Sequence, residues 1–330
     1  MALALHSFSK PNGIRNLQLR TSIPQRRHSR TRQRRYPRGV YFLASDTTLD
    51  ITLAFLNSFR EHNPEIPLCL IPFGDQTDVL RKLAAKYDFL VFDKEADLRR
   101  CDGLSREFFS VVRGHFRKIC AFEGYFDEFI YIDCDTIVLQ DVSFVFEFLR
   151  DYDFVFSHSN LELLRRWVWK DSIFEAGSLT RNQIAFSANT GFFCSRYRAI
   201  SLDNAEQDLE QAVKLSAHME LYCVEQPYLN YLVVSSGKRY TSLLELSSMP
   251  GNESIPLEKW AGGGFFSRMK DSVKHKSTNF FLYHWAGCWM ATDLDKIVYR
   301  LLGLFWLIRS PTVKIFLPRR RLWRKYRYLG

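Results

Sequence analysis

The chain has no acidic residue in its first 38 positions and none from 309 to its end, yet these two segments hold ten and eight of its 46 Lys and Arg residues. The body between them carries 28 bases against 36 acids, so the formal charge of +10 belongs to the ends alone. A nucleic-acid-binding domain usually shows a basic face within the fold, interleaved with aromatics. That arrangement is missing, and no nucleic-acid partner is expected. No run of ~18 consecutive apolar residues occurs, which argues against a spanning helix. The seven cysteines include no C-x-x-C pair, and their odd number argues for a reducing compartment rather than a disulfide framework. The opening "MALALHSFSK" is too short an apolar run for a secretory signal. Residues 11–38, Arg-rich and acid-free, fit a solvated arm, an overlong start or an organellar transit peptide.

What is present suits a folded enzyme. With 330 residues and 46% hydrophobic content the chain can bury a large core, as one α/β domain or two small ones. The apolar run Val40 to Ala44 reads as a strand and Ile51 to Arg60 as a helix. Pro67 to Asp75 repeats the strand, Asp78 to Tyr87 the helix, and Asp88 to Asp93 supplies a third strand. A longer helix is expected over Arg106 to Phe122, and a further helical pattern covers Asn204 to Leu215. Strands alternating with helices imply a mostly parallel, helix-flanked sheet. After Asp151 the alternation weakens. Ser235 to Ser254 and Lys259 to Arg268, rich in Gly and Ser, read as loops, and Gly262 to Gly264 could flex over a ligand.

The stretch "EFIYIDCDTIVLQD" places Asp133 and Asp135 directly after the buried-strand run Phe129 to Ile132. In open α/β sheets ligands bind just beyond the carboxyl ends of strands, so both acids stand where chemistry is done. Two hard oxygen donors at this spacing suit Mg²⁺ or Mn²⁺, ions that bridge to phosphate oxygens. They can also merely cap the next turn. A calcium loop of the EF-hand type is excluded, because Ile137 and Leu139 stand where oxygen ligands and glycine are needed. An aspartate-nucleophile phosphatase is the alternative enzyme, and a non-catalytic membrane-surface binder the alternative outside enzymology.

Several segments in order resemble GT-A glycosyltransferases, particularly the family-eight (glycogenin and galactosyltransferase-like) group. "YIDCDTIV" resembles their strand-end Asp-x-Asp, "FLASD" their first strand and nucleotide-contacting turn, and "FRKICAF" the segment whose base faces the donor. "SANTGFF", "EQPYLNYL" and "HWAGCW" resemble their Asn-x-Gly strand, Asp-Gln-x-x-Leu-Asn block and closing His-x-x-Gly motif. The resemblance spans residues 39–295. It implies a single GT-A domain with a mostly parallel Rossmann-like sheet flanked by helices, using Mn²⁺ or Mg²⁺ and a nucleotide-diphosphate sugar such as a UDP-hexose. The acceptor would be a glycan, lipid or protein. It assigns Asp133, Asp135 and His284 to the metal; Ala44, Ser45, Asp46, Arg117, Asp133 and Gly287 to the donor; and Asn189, Glu225 and Gln226 to the sugar and the chemistry. Arg113 could assist Arg117 from one turn earlier. The sequence departs from the pattern in three places. Met290 stands where the family's closing Lys meets the diphosphate, leaving Lys118, Arg268 or Lys270 to substitute. Glu225 replaces the usual Asp, and no Tyr follows "ASD" at the base-stacking position. The motifs fit retaining and inverting enzymes alike.

The remaining segments are terminal. Residues 1–38 read as a basic, disordered arm. In 296–330, Ile297, Leu301, Leu304, Phe305 and Ile308 follow helical spacing, and the bases beyond them are interleaved with Leu322, Trp323, Tyr326 and Tyr328. This pattern predicts an interfacial helix on an anionic membrane surface, hence a cytoplasmic, peripherally membrane-associated protein with organellar targeting by the arm open.

Overall fold

The apolar runs at 40–44 and 129–132 become adjacent parallel strands at the centre of a sheet. The computed structural model describes residues 35–260 and 279–284. Its strands are β1 (Tyr36–Ala44), β2 (Leu68–Pro72), β3 (Phe89–Val91), β4 (Phe126–Ile132), β5 (Thr136–Val138), β6 (Phe154–Phe156), β7 (Phe192–Arg196), β8 (Tyr240–Ser242), β9 (Leu257–Trp260) and β10 (Phe280–His284). The helices are α1 (Leu49–His62), α2 (Asp78–Tyr87), α3 (Glu95–Phe109), α4 (Glu162–Val168), α5 (Ile173–Ala176), α6 (Arg181–Phe186), α7 (Leu202–Leu215), α8 (Gln226–Ser235) and α9 (Leu243–Ser247).

Seven strands form one sheet in the order β3-β2-β1-β4-β7-β6-β8. All neighbours in it are parallel except β7, which runs antiparallel to both β4 and β6. The period-2 alternation of strand side chains divides the core between two faces. Tyr41, Leu43, Phe129 and Tyr131 enter one apolar layer, and Val40, Phe42, Ile130 and Ile132 enter the other. Because both faces are covered, these strands read as unbroken apolar runs rather than as alternating ones.

A second, three-stranded sheet in the order β5-β10-β9 lies beyond the end of β4. β10 pairs antiparallel with β5, setting His284 opposite Thr136, and parallel with β9, setting His284 opposite Trp260. This register carries a residue from position 284 to the Asp-x-Asp turn.

Four expectations are corrected. The helix expected over Arg106 to Phe122 is broken: α3 ends at Phe109, Ser110 takes a left-handed φ of 61°, and residues Gly114–Glu123 wind as a 3-10 helix. Gly114 permits the new direction, since a Cβ there would collide with the carbonyl oxygen of Phe73. The segment 235–254 is not all loop but contains β8 and α9, whose Ser242 side chain accepts from the Glu245 amide at 3.2 Å. Likewise β9 reaches Trp260, into the second expected loop. The strand β1 also begins at Tyr36, inside the segment read as the arm, where Arg38 pairs with Glu128 at 2.9 Å. No helix among the described residues is long and apolar enough to cross a membrane. The tail 296–330, Gly262 to Gly264, Arg268 and Lys270 lie outside the described residues.

Candidate metal and donor site

The site is built at the carboxyl end of β4, where the chain must turn sharply from the large sheet into β5. Thr136 closes this turn by donating from Oγ1 to the Asp133 carbonyl at 2.9 Å, and the Asp133 amide donates to the Gly191 carbonyl at 2.8 Å. The turn therefore presents Asp133 and Asp135 together, and β10 delivers His284 beside them. His284 Nε2 lies 3.2 Å from Asp135 and 3.9 Å from Asp133 Oδ2. One donor atom from each of the three residues falls within 4.8 Å of the others. Two carboxylates and an imidazole are a donor set suited to Mn²⁺ and acceptable to Mg²⁺, so these residues fit a divalent ion.

Each ligand is oriented by a second group. The imidazole is buried, and its Nδ1 is 2.5 Å from Glu258 Oε1, which leaves Nε2 for the acids. A carboxylate behind a ligating imidazole fixes its tautomer and ring orientation. Glu258 is itself fully enclosed and accepts from Asn189 Nδ2 at 3.1 Å and Trp260 Nε1 at 2.9 Å. Asp133 Oδ1 accepts from the Tyr131 hydroxyl at 2.7 Å and sits 3.3 Å from the Lys118 ammonium, turning Oδ2 toward His284. Lys118, buried to 2% exposure, is also held by Glu225 at 2.6 Å and the Thr190 carbonyl at 3.1 Å.

These charges set the protonation states. Burial alone would raise the Asp133 carboxyl, but Lys118 first and His284 second outweigh it and hold it below the usual carboxylate range. Burial alone would lower His284, yet Asp135 and Glu258 outweigh it and raise the imidazole well above its ordinary value. Lys118 is raised for the same reason, by Asp133 and then Glu225 against burial. The protonated imidazole is therefore favoured between Asp135 and Glu258, and holding a metal ion through Nε2 would require that proton to leave.

The other residues named from sequence are distributed around this centre. Glu225 and Gln226 meet the Asn189–Gly191 turn, with Glu225 3.2 Å from the Thr190 hydroxyl and Gln226 Oε1 3.3 Å from the Thr190 amide. Val224, just before them, adopts φ 54° and ψ −109°, a costly conformation for a β-branched residue, and leads the chain into α8. Ala44 ends β1, and the Ser45 hydroxyl bonds Thr47 at 2.7 Å. Asp46 spends its carboxylate on the first amides of α2, both at 3.0 Å. The Arg117 guanidinium is engaged at 2.8 and 2.7 Å by Asp102 and at 3.1 Å by the Pro72 carbonyl, so Lys118 is the base that enters the acid cluster. Arg113 is exposed, its guanidinium near the Phe109 ring. Gly287 and Met290 lie outside the described residues. Glu258 escaped the sequence reading. Its signal was a charged residue one position from buried Leu257 and two from Trp260, on a short strand.

Gly191 is the narrowest point. A Cβ there would collide with Cε1 of His284 and come within 2.9 Å of Asp133 Oδ2. Gly191→Ala is expected to cost about 1–3 kcal/mol through overpacking and to displace the imidazole. Thermal unfolding should show both a lower Tm and a smaller rise on adding Mn²⁺.

No protein-family model matches this sequence. No curated protein matches it either. Among solved structures, the galactosyltransferase LgtC, solved in complex with donor and acceptor sugar analogues, superposes with a TM-score of 0.51 at 11% identity, covering 76% of this chain and 87% of LgtC. Mouse xyloside xylosyltransferase 1, in its apo form, gives a TM-score of 0.51 at 10% identity over 78% of this chain and 99% of its own. The mostly parallel seven-stranded sheet, its flanking helices and these superpositions together give the chain the GT-A glycosyltransferase fold.

Proposed function

We propose that this protein is a metal-dependent glycosyltransferase that moves a hexosyl group from a nucleotide-diphosphate sugar, a UDP-hexose in the first instance, to a glycan, lipid or protein acceptor. The observation that carries this reading is the convergence of Asp133, Asp135 and His284 within 4.8 Å at the carboxyl end of β4 in a GT-A fold. When bound there, Mn²⁺ or Mg²⁺ would neutralise the charge that builds on the departing diphosphate.

The chain's own residues then have distinct tasks. Asp133, Asp135 and His284 would hold the ion, and Glu258 fixes the imidazole. Lys118 keeps Asp133 ionised and holds Glu225 in place at 2.6 Å in a buried setting. Asn189, Glu225 and Gln226 form a polar wall, already hydrogen-bonded to one another through Thr190, Gly191 and Glu258, which would orient the sugar hydroxyls. Ala44, Ser45 and the Asp46 turn would border the nucleotide. Arg117 would assist by positioning the Pro72 end of β2 rather than by touching phosphate, and Gly287 would lie against the donor. The tail 296–330 would place the enzyme on the cytoplasmic face of an anionic membrane.

The test is a screen of nucleotide sugars for slow hydrolysis with Mn²⁺, run beside thermal unfolding with nucleotide diphosphate plus Mn²⁺. A ligand that binds only the folded state raises Tm, by ~2.7 kcal/mol of added stability at a hundredfold excess over Kd. The absence of both hydrolysis and a shift, with every common nucleotide, would refute the proposal. A pH effect follows from His284. Since its proton must leave Nε2, about one proton should be released per ion bound, and apparent Mn²⁺ affinity should rise as pH increases toward the imidazole's raised pKa. Titration calorimetry in two buffers of different ionisation heat measures this proton count, and a count of zero at a pH below the ordinary imidazole range, where the free ring is protonated, would exclude His284 as a ligand.

A further inference from the structure

Beside the metal residues stands a row of aromatic rings that the proposed chemistry does not use. Trp260 occupies its centre, with the His158 ring 4.9 Å away at 43° and the Trp167 ring 5.6 Å away at 45°. Both tryptophans are only half-buried. An indole in a core would be enclosed on all sides, as Trp169 is.

The position of the row is set by the sheet. Strand β6 runs antiparallel to β7, and β7 antiparallel to β4, so β6 and β4 point the same way. His158, just past the end of β6, therefore lies at the same carboxyl edge as Asp133. The Asp46 turn, past the end of β1, is on the other side of Asp133 along that edge. The row is thus on the side of the metal residues away from the Asp46 turn, the turn that would border the nucleotide.

The row is also joined to the site by hydrogen bonds. Trp260 Nε1 donates to the same Glu258 oxygen that holds His284, and Gln226 Nε2 reaches the Trp167 carbonyl at 3.4 Å. A ring seated on Trp260 would therefore be held at a fixed offset from the metal residues. The chemistry that fits half-buried indoles beside a polar wall is a pyranose ring. Its axial C–H groups, partially positive, meet the negative π-face, while its hydroxyls turn to polar neighbours.

We propose that Trp260, flanked by Trp167, is the stacking platform for a pyranose ring of the acceptor, so that the acceptor is a glycoside rather than a bare lipid or protein hydroxyl. The proposal rests on the glycosyl-transfer reading for its reaction but not for its binding.

Two measurements test it. In the first, the donor found by the hydrolysis screen is offered to a panel of p-nitrophenyl pyranosides, and the ratio of transfer to hydrolysis is compared among variants. Trp260→Ala should lower that ratio about tenfold, chiefly by raising the acceptor KM, while Trp260→Phe, which keeps a ring but loses the bond to Glu258, should retain most of it. Trp167→Ala should fall between them. An unchanged ratio in Trp260→Ala, or equal losses in the Ala and Phe variants, overturns the platform. In the second, methyl pyranosides are titrated without donor, and the emission of Trp260→Phe is subtracted from that of the unaltered protein. A saturable change in this difference supports the site even if no nucleotide sugar is turned over. No change up to the solubility limit with every sugar overturns it even if the transferase reading stands.

Discussion

Asp135→Ala should reduce Mn²⁺-dependent hydrolysis of the preferred nucleotide sugar by at least ~10²–10³-fold, the scale of losing one preorganised electrostatic contact to developing charge. Asp135 faces His284 Nε2 at 3.2 Å and makes no other ion pair among the described residues, so its role would be concentrated on the proposed ion position. Two readouts separate this role from a folding defect. The variant should keep a cooperative unfolding transition, and the rise in Tm with Mn²⁺ should disappear. Asp135→Asn, which preserves size but not charge, should behave like the alanine variant in the metal response. It leaves the imidazole without the carboxylate that contributes most to raising its pKa. If Asp135→Ala hydrolysed donor at the unaltered rate with Mn²⁺, the acids would be turn-capping residues, and the metal reading would fall.

The sequence made the position of this site readable because the same physics writes both. A strand buried on both faces must be apolar throughout, so "FIYI" marks itself, and the first carboxylates after it must stand at the sheet's edge. Helix α2 was equally plain, since residues 78–87 carry a clean apolar stripe between a Thr cap and the left-handed Asp88. The choice between Arg117 and Lys118 was not readable. A helical reading of 106–122 advances about 100° per residue, whereas a 3-10 helix advances about 120° and restarts after the break at Ser110, so a neighbouring base turns inward. The break depends on Gly114 meeting the Phe73 backbone, a contact between segments that no local pattern records.

Two further misses differ in kind. The helix α9 carried its own signal, because Ser242-Leu-Leu-Glu245 is the Ser-x-x-Glu pattern of a helix start, masked by the serines and glycines around it. Glu245 also reaches Ser159 and Asn160 at 3.0 and 2.5 Å, tying α9 to the end of β6. Glu258 carried almost none. Its function arises only when β9 and β10 pair in parallel and bring the carboxylate to His284, so it is a product of register rather than of motif. The buried polar side chains that orient Asp133 and His284 are therefore hidden in the sequence, where the acids and imidazole that converge are visible as motifs.

Lys118→Met is expected to destabilise the protein by about 3–5 kcal/mol, the cost of stranding buried carboxylates by deleting their cation. Lys118 is 2% exposed and holds Glu225 at 2.6 Å and Asp133 at 3.3 Å, so methionine would fill its volume but leave both acids uncompensated. The pH dependence separates this cause from a packing defect. In the unaltered protein the Lys118 pKa is raised, so its contribution is complete below the ordinary lysine range and is lost only as pH climbs through the folded value. Asp133 has the opposite sign: its carboxyl is depressed, so its contribution is present above the ordinary carboxylate range and is lost as pH falls through the folded value. Acid therefore removes stability from the unaltered protein and relieves the variant, whose stranded carboxylates become neutral. Denaturant unfolding over a pH series should show the two stabilities farthest apart near neutrality and converging as pH falls. A constant gap at all pH values would mean that Lys118 acts by packing alone, and that Asp133 does not depend on it to stay ionised.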